Sequence, residues 1–238
     1  MSIAEKLTTI AQNQEKVFEA GKKSEYDKFW DTFQVNGNRK FYPCAFCWGW
    51  NFDNFYPKYD INVVGDGTRL CYAWASAAQT PSIGSLKQRL EECGVKLDTS
   101  KATVLTYAFA YCAFTELPTI DLTALVSIPT NIFSYNYQHL KTIEKIIVNE
   151  STPLSTNMFT DDTKLENITF EGVIGGNLNF QWSKVLSKES IENIIGCLSG
   201  TVTEKTLTLS QTAVNNAFTV DEWNTLIEGK TNWTISLV

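Results

Sequence analysis

Two cysteines three residues apart, Cys44 and Cys47, have the spacing of a metal or redox site. A structural zinc site needs four ligands, usually as two such pairs. The remaining cysteines stand alone, and His139 is the only histidine. A redox pair would need a strand–helix–strand context, which the neighbouring residues do not indicate. We therefore expect buried or inert thiols without metal or cofactor, and metal binding and redox chemistry are the alternatives. The lone cysteines are Cys71, Cys93, Cys112 and Cys197.

Other candidates for chemistry are isolated. His139 lies beside a leucine in an expected turn, and nothing near it resembles the nucleophile of a hydrolase. Gly65-Asp-Gly67 lacks the spacing of a phosphate loop and is interpreted as a turn. Asp161-Asp162 and Glu91-Glu92 are expected on a turn and a helix surface, whereas a glycosidase needs two carboxylates about 5–10 Å apart across a cleft. The sequence predicts no catalytic residue and no enzyme, with a polysaccharide depolymerase as the enzymatic alternative.

Composition narrows the class of partner. The 238 residues are 43% hydrophobic and 19% charged, which is typical of a folded protein, and the formal net charge is −6. Such a surface repels nucleic-acid phosphates and anionic lipids, and no basic patch offsets it, since Lys22-Lys23 and Arg39-Lys40 are only pairs. The N-terminus has no secretory signal pattern, and no apolar run reaches the roughly 20 residues of a membrane span. We expect synthesis in a bacterial cytoplasm, reduced cysteines, no nucleic-acid partner and no membrane insertion.

The first sixty residues are expected to form a helix and an aromatic region. Ser2 and Glu5 fit a capping box for a helix within residues 1–21, with Gly21 as its end. A heptad spacing over residues 3–17 indicates either one packed amphipathic helix or a short coiled coil joining two or three copies. Residues 22–60 are dense in aromatic side chains and are interpreted as a cap or an anchoring surface. The heptad positions are Ile3, Leu7, Ile10, Gln14 and Val17.

Residues 61–172 contain a repeated phrase. Leu117-Pro-Thr-Ile120, Leu140-Lys-Thr-Ile143 and Leu165-Glu-Asn-Ile168 begin 23 and 25 residues apart, and an earlier copy is indicated at Val95-Lys-Leu97. Periods of 20–29 residues with one short strand each are typical of leucine-rich repeats, in which stacked turns share one core. We therefore predict an α/β solenoid. A phenylalanine expected to fill the space behind the strand precedes each phrase, and a β-rich segment follows. These are Phe109, Phe133 and Phe159, and Ile120–Leu122, Ile146–Val148 and Ile168–Phe170.

Residues 173–238 continue with longer strand–helix units. Strands are predicted at 178–180, 207–209 and 233–237, and helices after Ser187, Ser210 and Thr219. Thr219 and Glu222 fit a capping box, and Gly229 ends the last helix. We interpret this region as the terminal turns and C-terminal cap of a short, degenerate leucine-rich-repeat array.

The repeat resembles the BspA-like type of leucine-rich repeat, on the phrase Tyr107-Ala-Phe-Ala-Tyr-Cys112 followed by Leu117–Leu122. The two later turns lack the cysteine. A second likeness covers most of the chain, which resembles proteins of phages and prophages of gut Firmicutes. It rests on phrases in a common order: residues 17–30, 54–61, 186–191, 207–215 and 232–235.

The resemblance implies a structural protein of the virion, in the tail, baseplate or fibre, and carries no catalytic residues. Expected partners are other tail or baseplate proteins, a host-surface receptor or glycan, and further copies of the chain through residues 3–17. The alternative is a prophage-borne or bacterial interaction module that binds a protein or glycan outside the virion.

Overall fold

The computed structural model of this chain describes residues 60–68, 84–112, 114–136 and 139–238. The predicted N-terminal helix, the aromatic region before Asp60, and Cys44, Cys47 and Cys71 lie outside the described residues. The strands are β1 (Ile61–Asp66), β2 (Gly84–Ser85), β3 (Leu97–Val104), β4 (Phe114–Leu117), β5 (Ile120–Asp121), β6 (Thr142–Val148), β7 (Asn167–Gly172), β8 (Leu178–Phe180), β9 (Lys205–Leu209) and β10 (Trp233–Leu237). The helices are α1 (Leu86–Cys93), α2 (Lys188–Cys197), α3 (Gln211–Ala217) and α4 (Val220–Ile227).

Strands β2, β4, β5, β6 and β7 pair in parallel and form what we call the front sheet. Leu117 lies opposite Ile143, and Ile143 lies opposite Ile168. The partners are therefore 26 (143 − 117) and 25 (168 − 143) residues apart in sequence. The passage through β4 and β5 pairs with β6, and β6 pairs with β7, so successive passages lie side by side and their buried side chains share one core.

The pairing register shows that the alignment of the first repeat phrase was wrong. The sequence prediction equated Leu117 with Leu140, but Leu117 lies opposite Ile143. The backbone amide of Lys141 donates to the Thr115 carbonyl oxygen at 2.9 Å. This bond places Phe114, the residue before Thr115, beside Leu140, the residue before Lys141. The equivalence of the second and third phrases is confirmed by the pairing of Ile143 with Ile168.

An irregularity inside β6 explains the error. The register shifts between Ile143 and Ile146, so apolar side chains recur there at an interval of three residues. A slip of three residues therefore preserves the apolar pattern, and the sequence alone does not distinguish the two alignments. The third β-rich segment is affected too, because Phe170 rather than Ile168 lies opposite Ile146.

Behind the front sheet, four buried phenylalanines form a stack that we call the phenylalanine column. Ring centroids are 5.9 Å apart between Phe109 and Phe133, 5.4 Å between Phe133 and Phe159, and 4.5 Å between Phe159 and Phe180. All four side chains are fully buried. The predicted packing of the first three is confirmed, and Phe180 extends the column into the C-terminal region.

Three residues after each phenylalanine lies a buried residue with a polar side chain, and these four form the polar column: Cys112, Asn136, Asp162 and Ser183. The Asn136 side chain accepts a hydrogen bond from the Cys112 amide at 2.7 Å. The Asp162 side chain accepts one from the Asn136 amide at 3.1 Å, and the Ser183 hydroxyl donates to the Asp162 carbonyl oxygen at 3.2 Å. The buried position predicted for Cys112 is confirmed. Asp162 lies at the turn expected for Asp161-Asp162, and its side chain is buried there.

After residue 172 the strands of the chain lie on the opposite side of the core. Strands β8, β9 and β10 pair in parallel in a second sheet, the back sheet, with Leu178 opposite Leu207 and Leu207 opposite Ile235. Phe180 belongs to β8 and stacks on Phe159, so the back sheet continues the phenylalanine column. The C-terminal turns therefore place their strands behind the core, where the earlier turns have irregular chain.

Helix α2 takes the front position beside β7. The Ser190 hydroxyl accepts from the Ile168 amide at 2.9 Å, and the Asn193 side chain accepts from the Phe170 amide at 2.6 Å. The Asn193 amide group also donates to the Phe170 carbonyl oxygen at 3.1 Å. Helix side chains thus replace a neighbouring strand, and they satisfy backbone groups that a sheet edge would otherwise leave open.

Two glycines allow the close approach of the chain at this change of side. A Cβ atom on Gly172 would lie 1.9 Å from the Val148 carbonyl oxygen, and one on Gly175 would lie 2.0 Å from the Glu150 carbonyl oxygen. Gly172 also has a φ of +101°, a region that L side chains rarely adopt. A larger residue at either position would push residues 172–176 away from the preceding turn.

The predicted C-terminal elements are confirmed. The strands at 178–180 and 233–237 have the predicted bounds, and 207–209 lies within β9. Ser187 caps α2 through its side chain, and Thr219 with Glu222 forms the predicted capping box of α4. Ser210 precedes α3 without a side-chain cap bond. The last helix ends at Ile227, shortly before the predicted Gly229.

The earlier repeat copy corresponds to a pair of strands. β3 begins at Leu97, within the predicted Val95–Leu97 segment, and Leu97 lies opposite Ile61 in the parallel neighbour β1. The Thr99 hydroxyl joins β3 to β5 by donating to the Asp121 carbonyl oxygen at 2.9 Å and accepting from the Asp121 amide at 2.7 Å. The core therefore extends continuously from β1 to Trp233.

Candidate functional site

The main concave feature that we describe lies between α1 and the exposed side of strands β1, β3, β5 and β6, and we call it the α1 groove. Its volume is about 560 Å³, which falls within the usual range for ligand pockets. Its floor is apolar and its rim is charged. The lining residues are Asp60, Asn62, Lys87, Leu90, Glu91, Val95, Lys96, Leu97, Asp98, Thr99, Pro118, Thr119, Asp121, Glu144 and Ile147.

The helix that borders the groove begins for a clear local reason. The Ser85 hydroxyl accepts from the Gln88 amide at 2.9 Å and so caps the first turn of α1. Gly94, in the left-handed conformation at φ 67°, ends the helix. Leu86 and Leu90 are the buried side chains of α1, and Leu90 lines the groove together with Lys87 and Glu91.

A lysine joins α1 to two strands of the front sheet. Lys87 Nζ lies 3.3 Å from a Glu144 carboxylate oxygen, 3.8 Å from Glu116 and 3.7 Å from Glu91. The hydrogen bond to Glu144 is the main cause that raises the pKa of Lys87. The Ser85 hydroxyl donates to Glu116 at 2.7 Å. These half-buried contacts hold the groove wall against β4 and β6.

The groove is acidic. Five carboxylates and two lysines line it, which gives a formal charge of −3 (2 − 5). Several carboxylates also order the backbone: Asp60 accepts from the Lys96 amide at 2.8 Å, and Thr119 donates to Glu144 through its amide and hydroxyl, each at 3.1 Å. Hydrogen bonds from Ser100 lower the pKa of Asp98, which keeps that carboxylate charged. The carboxylates are Asp60, Glu91, Asp98, Asp121 and Glu144.

An apolar floor with carboxylates around it can hold a partner that presents apolar surface together with hydroxyl or cationic groups. In residues 60–68, 84–112, 114–136 and 139–238, no cluster of three or more histidine, cysteine, aspartate or glutamate side chains has the geometry of a metal site. The groove carboxylates whose contacts are given above bond to backbone amides, hydroxyl groups or lysine. Their geometry therefore favours binding of a partner over acid–base chemistry.

The cysteines inside the described ranges are not brought together. Cys112 is buried in the polar column, whereas Cys93 and Cys197 are half-buried at the ends of α1 and α2. Burial raises the pKa of both half-buried thiols, which disfavours the reactive thiolate. The expectation of inert thiols stays a prediction for these three residues, and the prediction for Cys44 and Cys47 lies outside the described residues.

The remaining sequence candidates are also scattered. His139 is half-buried in a turn, as expected. Glu91 and Glu92 are exposed on α1, as expected, and Glu91 reaches the groove rim. Gly65 and Asp66 are the last residues of β1, so the turn expected at Gly65 begins later, where the Thr68 amide donates to Asp66 at 2.9 Å.

Sequence reasoning missed the groove because its charged residues come from separate turns. Asp98, Asp121 and Glu144 each lie 23 residues after the one before, close to the period of the repeat (121 − 98, 144 − 121). This recurrence of acidic residues was the available signal. The observed register places Asp121 opposite Ile147 rather than Glu144, so equal spacing alone does not bring these carboxylates together.

No family model, curated protein or solved structure matches the chain. Within the part of the chain that the structure describes, no helix is long and apolar enough to span a bilayer.

Proposed function

We propose that this chain is a non-enzymatic leucine-rich-repeat protein of a phage or prophage tail, which binds a virion protein or a host-surface receptor or glycan through its front side. The observation that carries the binding role is the α1 groove beside the polar side of the front sheet. Parallel strands of stacked turns present such a side to partners in many repeat proteins.

The repeat assignment is supported by three features that recur together. Strand partners in the front sheet are 25 and 26 residues apart, within the period of leucine-rich repeats. The phenylalanine column fills the space behind the strands. The polar column then binds the amides of neighbouring turns, which lack a strand at that point.

The placement in a virion is supported by the phrases of residues 17–30, 54–61, 186–191, 207–215 and 232–235. A tail component acts by assembly and recognition, so a groove suited to binding agrees with that role. The partners proposed are other tail or baseplate proteins and a receptor or glycan of the host surface. We also propose that further copies of this chain associate with it through residues 3–17.

Mass spectrometry of purified particles tests the virion role. We expect peptides of this chain in particles purified through a density gradient, at a fixed ratio to a major tail protein. Their absence from particles, with the chain present in the lysate, would contradict the virion role. Binding of that soluble chain to a protein or glycan would then favour an interaction module outside the virion.

Paired substitutions test the α1 groove itself. Asp98→Asn with Glu144→Gln removes two groove charges, and we expect less of this double variant in particles. Glu189→Gln with Glu192→Gln removes two exposed charges from α2 and is the matched control. Equal incorporation of both double variants, with unchanged folding, would exclude the groove charges from binding. Light scattering of a variant lacking residues 1–21 tests the oligomer separately, and an unchanged mass would contradict the coiled coil.

A further inference from the structure

Asn136 shows what the polar column requires of a side chain. Its Oδ1 atom accepts from the Cys112 amide at 2.7 Å. Its Nδ2 group donates to the carbonyl oxygens of Phe109, at 3.1 Å, and Phe133. The amide side chain therefore acts as acceptor toward one backbone group and as donor toward two others, all of them buried.

Asp162 occupies the same position one turn later. Both residues lie three positions after a column phenylalanine, and Asp162 Oδ1 accepts from the Asn136 amide at 3.1 Å, as Asn136 Oδ1 does from Cys112. Asp162 Oδ2 therefore corresponds to the donor group Nδ2 of Asn136. This oxygen is buried and has no hydrogen-bond partner among the residues that the structure describes. A carboxylate has no hydrogen to donate at that position, whereas a carboxylic acid has one.

The surroundings of Asp162 oppose a negative charge. Burial is the main cause that raises its pKa well above the ordinary aspartate value, and Asp161 raises it further. The hydrogen bond from the Asn136 amide acts in the opposite direction. The residues that contact Asp162 from the neighbouring turns, Asn136 and Ser183, are uncharged, so no cation from these neighbours compensates a carboxylate.

We propose that Asp162 is a neutral carboxylic acid that replaces asparagine in the polar column, and that loss of its proton weakens the contact between the two halves of the fold. The position supports this consequence. Asp162 binds Asn136 of the preceding turn through its side chain, and its carbonyl oxygen accepts from Ser183, which follows β8. A charge here would separate the last turn of the front sheet from the first turn of the back sheet.

The sign of the pH dependence follows from the raised pKa. The folded chain binds the proton more tightly than the unfolded chain does, so the contribution of Asp162 is fully present below the ordinary aspartate pKa of about 4. It is lost as the pH rises through the higher value of the folded state. Asp162→Asn supplies the amide donor permanently and removes this dependence.

Thermal unfolding of the full chain, from about pH 4, near the ordinary aspartate pKa, to about pH 8, tests the proposal. We expect Asp162→Asn to unfold at a midpoint several degrees higher than the wild type at the upper end. The gap should close at the lower end. Asp161→Asn leaves Asp162 in place and removes only a smaller cause of its raised pKa, so this control should still lose stability as the pH rises. Parallel profiles for wild type and Asp162→Asn would overturn the proposal.

Carbon NMR of the wild-type side-chain carboxyl groups provides a second readout if the variant fails to fold. We expect one aspartate carboxyl carbon to titrate at higher pH than all the others, and its resonance to respond when Asn136 is replaced by serine. Ordinary titration of every aspartate carboxyl group would equally overturn the proposal.

Discussion

Residues 114–172 and residues 178–238 pack against the same buried core with opposite arrangements of secondary structure. In the first region the strands lie in front and irregular chain carries the phenylalanine column. In the second region the back sheet carries the end of the column, and α2 lies in front. The core thus accepts either arrangement, provided that a phenylalanine fills its centre.

The difference shows how the two regions satisfy their backbone groups. Strands of the front sheet bond to one another, whereas the irregular chain behind them depends on the side chains of the polar column. At the boundary between the two regions, side chains rather than a strand satisfy the edge of the front sheet. Ser190 and Asn193 bond to β7 in place of a further strand. The sheet therefore ends without an open edge on that side, and the remaining turns pair at the back.

Substitution of the phenylalanine column should have the largest effect. Phe133→Ala in the first region and Phe180→Ala in the second should each lower the free energy of unfolding by about 3–5 kcal/mol, through lost burial and the cavity left behind. Urea denaturation measures both, and Trp182→Ala, at a side chain 38% exposed, is the control with a smaller loss. Two separate transitions, each sensitive to one variant, would contradict a shared core.

Replacement of a glycine at the boundary should rank second. A Cβ atom on Gly175 would overlap the Glu150 carbonyl oxygen, so we expect Gly175→Ala to cost about 3 kcal/mol of unfolding free energy. Gly196→Ala is the matched control, since nothing lies within 4 Å of its added Cβ atom in α2. That control should stabilise the chain by about 1 kcal/mol through helix propensity. An equal response of the two variants would show that the regions are not in close contact here.

Removal of the Asn193 side chain, which bonds to the edge of β7, should have an intermediate effect on stability. Asn193→Ala leaves the amide and carbonyl groups of Phe170 without these partners, which should cost about 1–2 kcal/mol. Hydrogen exchange at the Phe170 amide should accelerate. Asn215→Ala, at an exposed position of α3, tests helix propensity alone and should leave that amide unchanged.

The smallest expected effect is the pH response of the capping box on α4. Lys188 and the Thr219 groups lower the pKa of Glu222 to about 2, from an ordinary value of 4.5. The contribution of the charged form is complete above the ordinary value and is lost as the pH falls toward about 2. Glu222→Gln should therefore flatten the acid side of the stability profile, while Glu189→Gln, exposed on α2, should not. Circular dichroism across acidic pH measures the difference.

The sequence predicted what depends on local patterns. The strand at 178–180, the capping box at Thr219 and the burial of Phe133 behind the strands all follow from spacing and side-chain type. The register of Leu117 could not be chosen, because apolar residues at three-residue intervals fit two alignments.

The exchange of strand and helix after Gly172 could not be predicted either. It depends on contacts between turns, in which α2 side chains meet the edge of β7, and no single segment encodes them. The burial of Asp162 was readable in principle, since each column phenylalanine is followed three residues later by a polar-column residue. Predicting the α1 groove required both the pairing register of the strands and the side of the fold on which each turn lies. Its charged residues were therefore not recognised as one site.

An electron-density map of the intact particle tests the proposed role most directly. We predict that this chain is present in the tail and that its α1 groove, beside the front sheet, contacts a neighbouring virion protein or is directed outward toward the host surface. The back sheet should remain a packing element of the same chain. A tail map without this chain would contradict the proposed virion role. A map in which only α2 to α4 and the back sheet contact a neighbour, with the groove enclosed by its own protomer, would contradict the proposed binding through the groove.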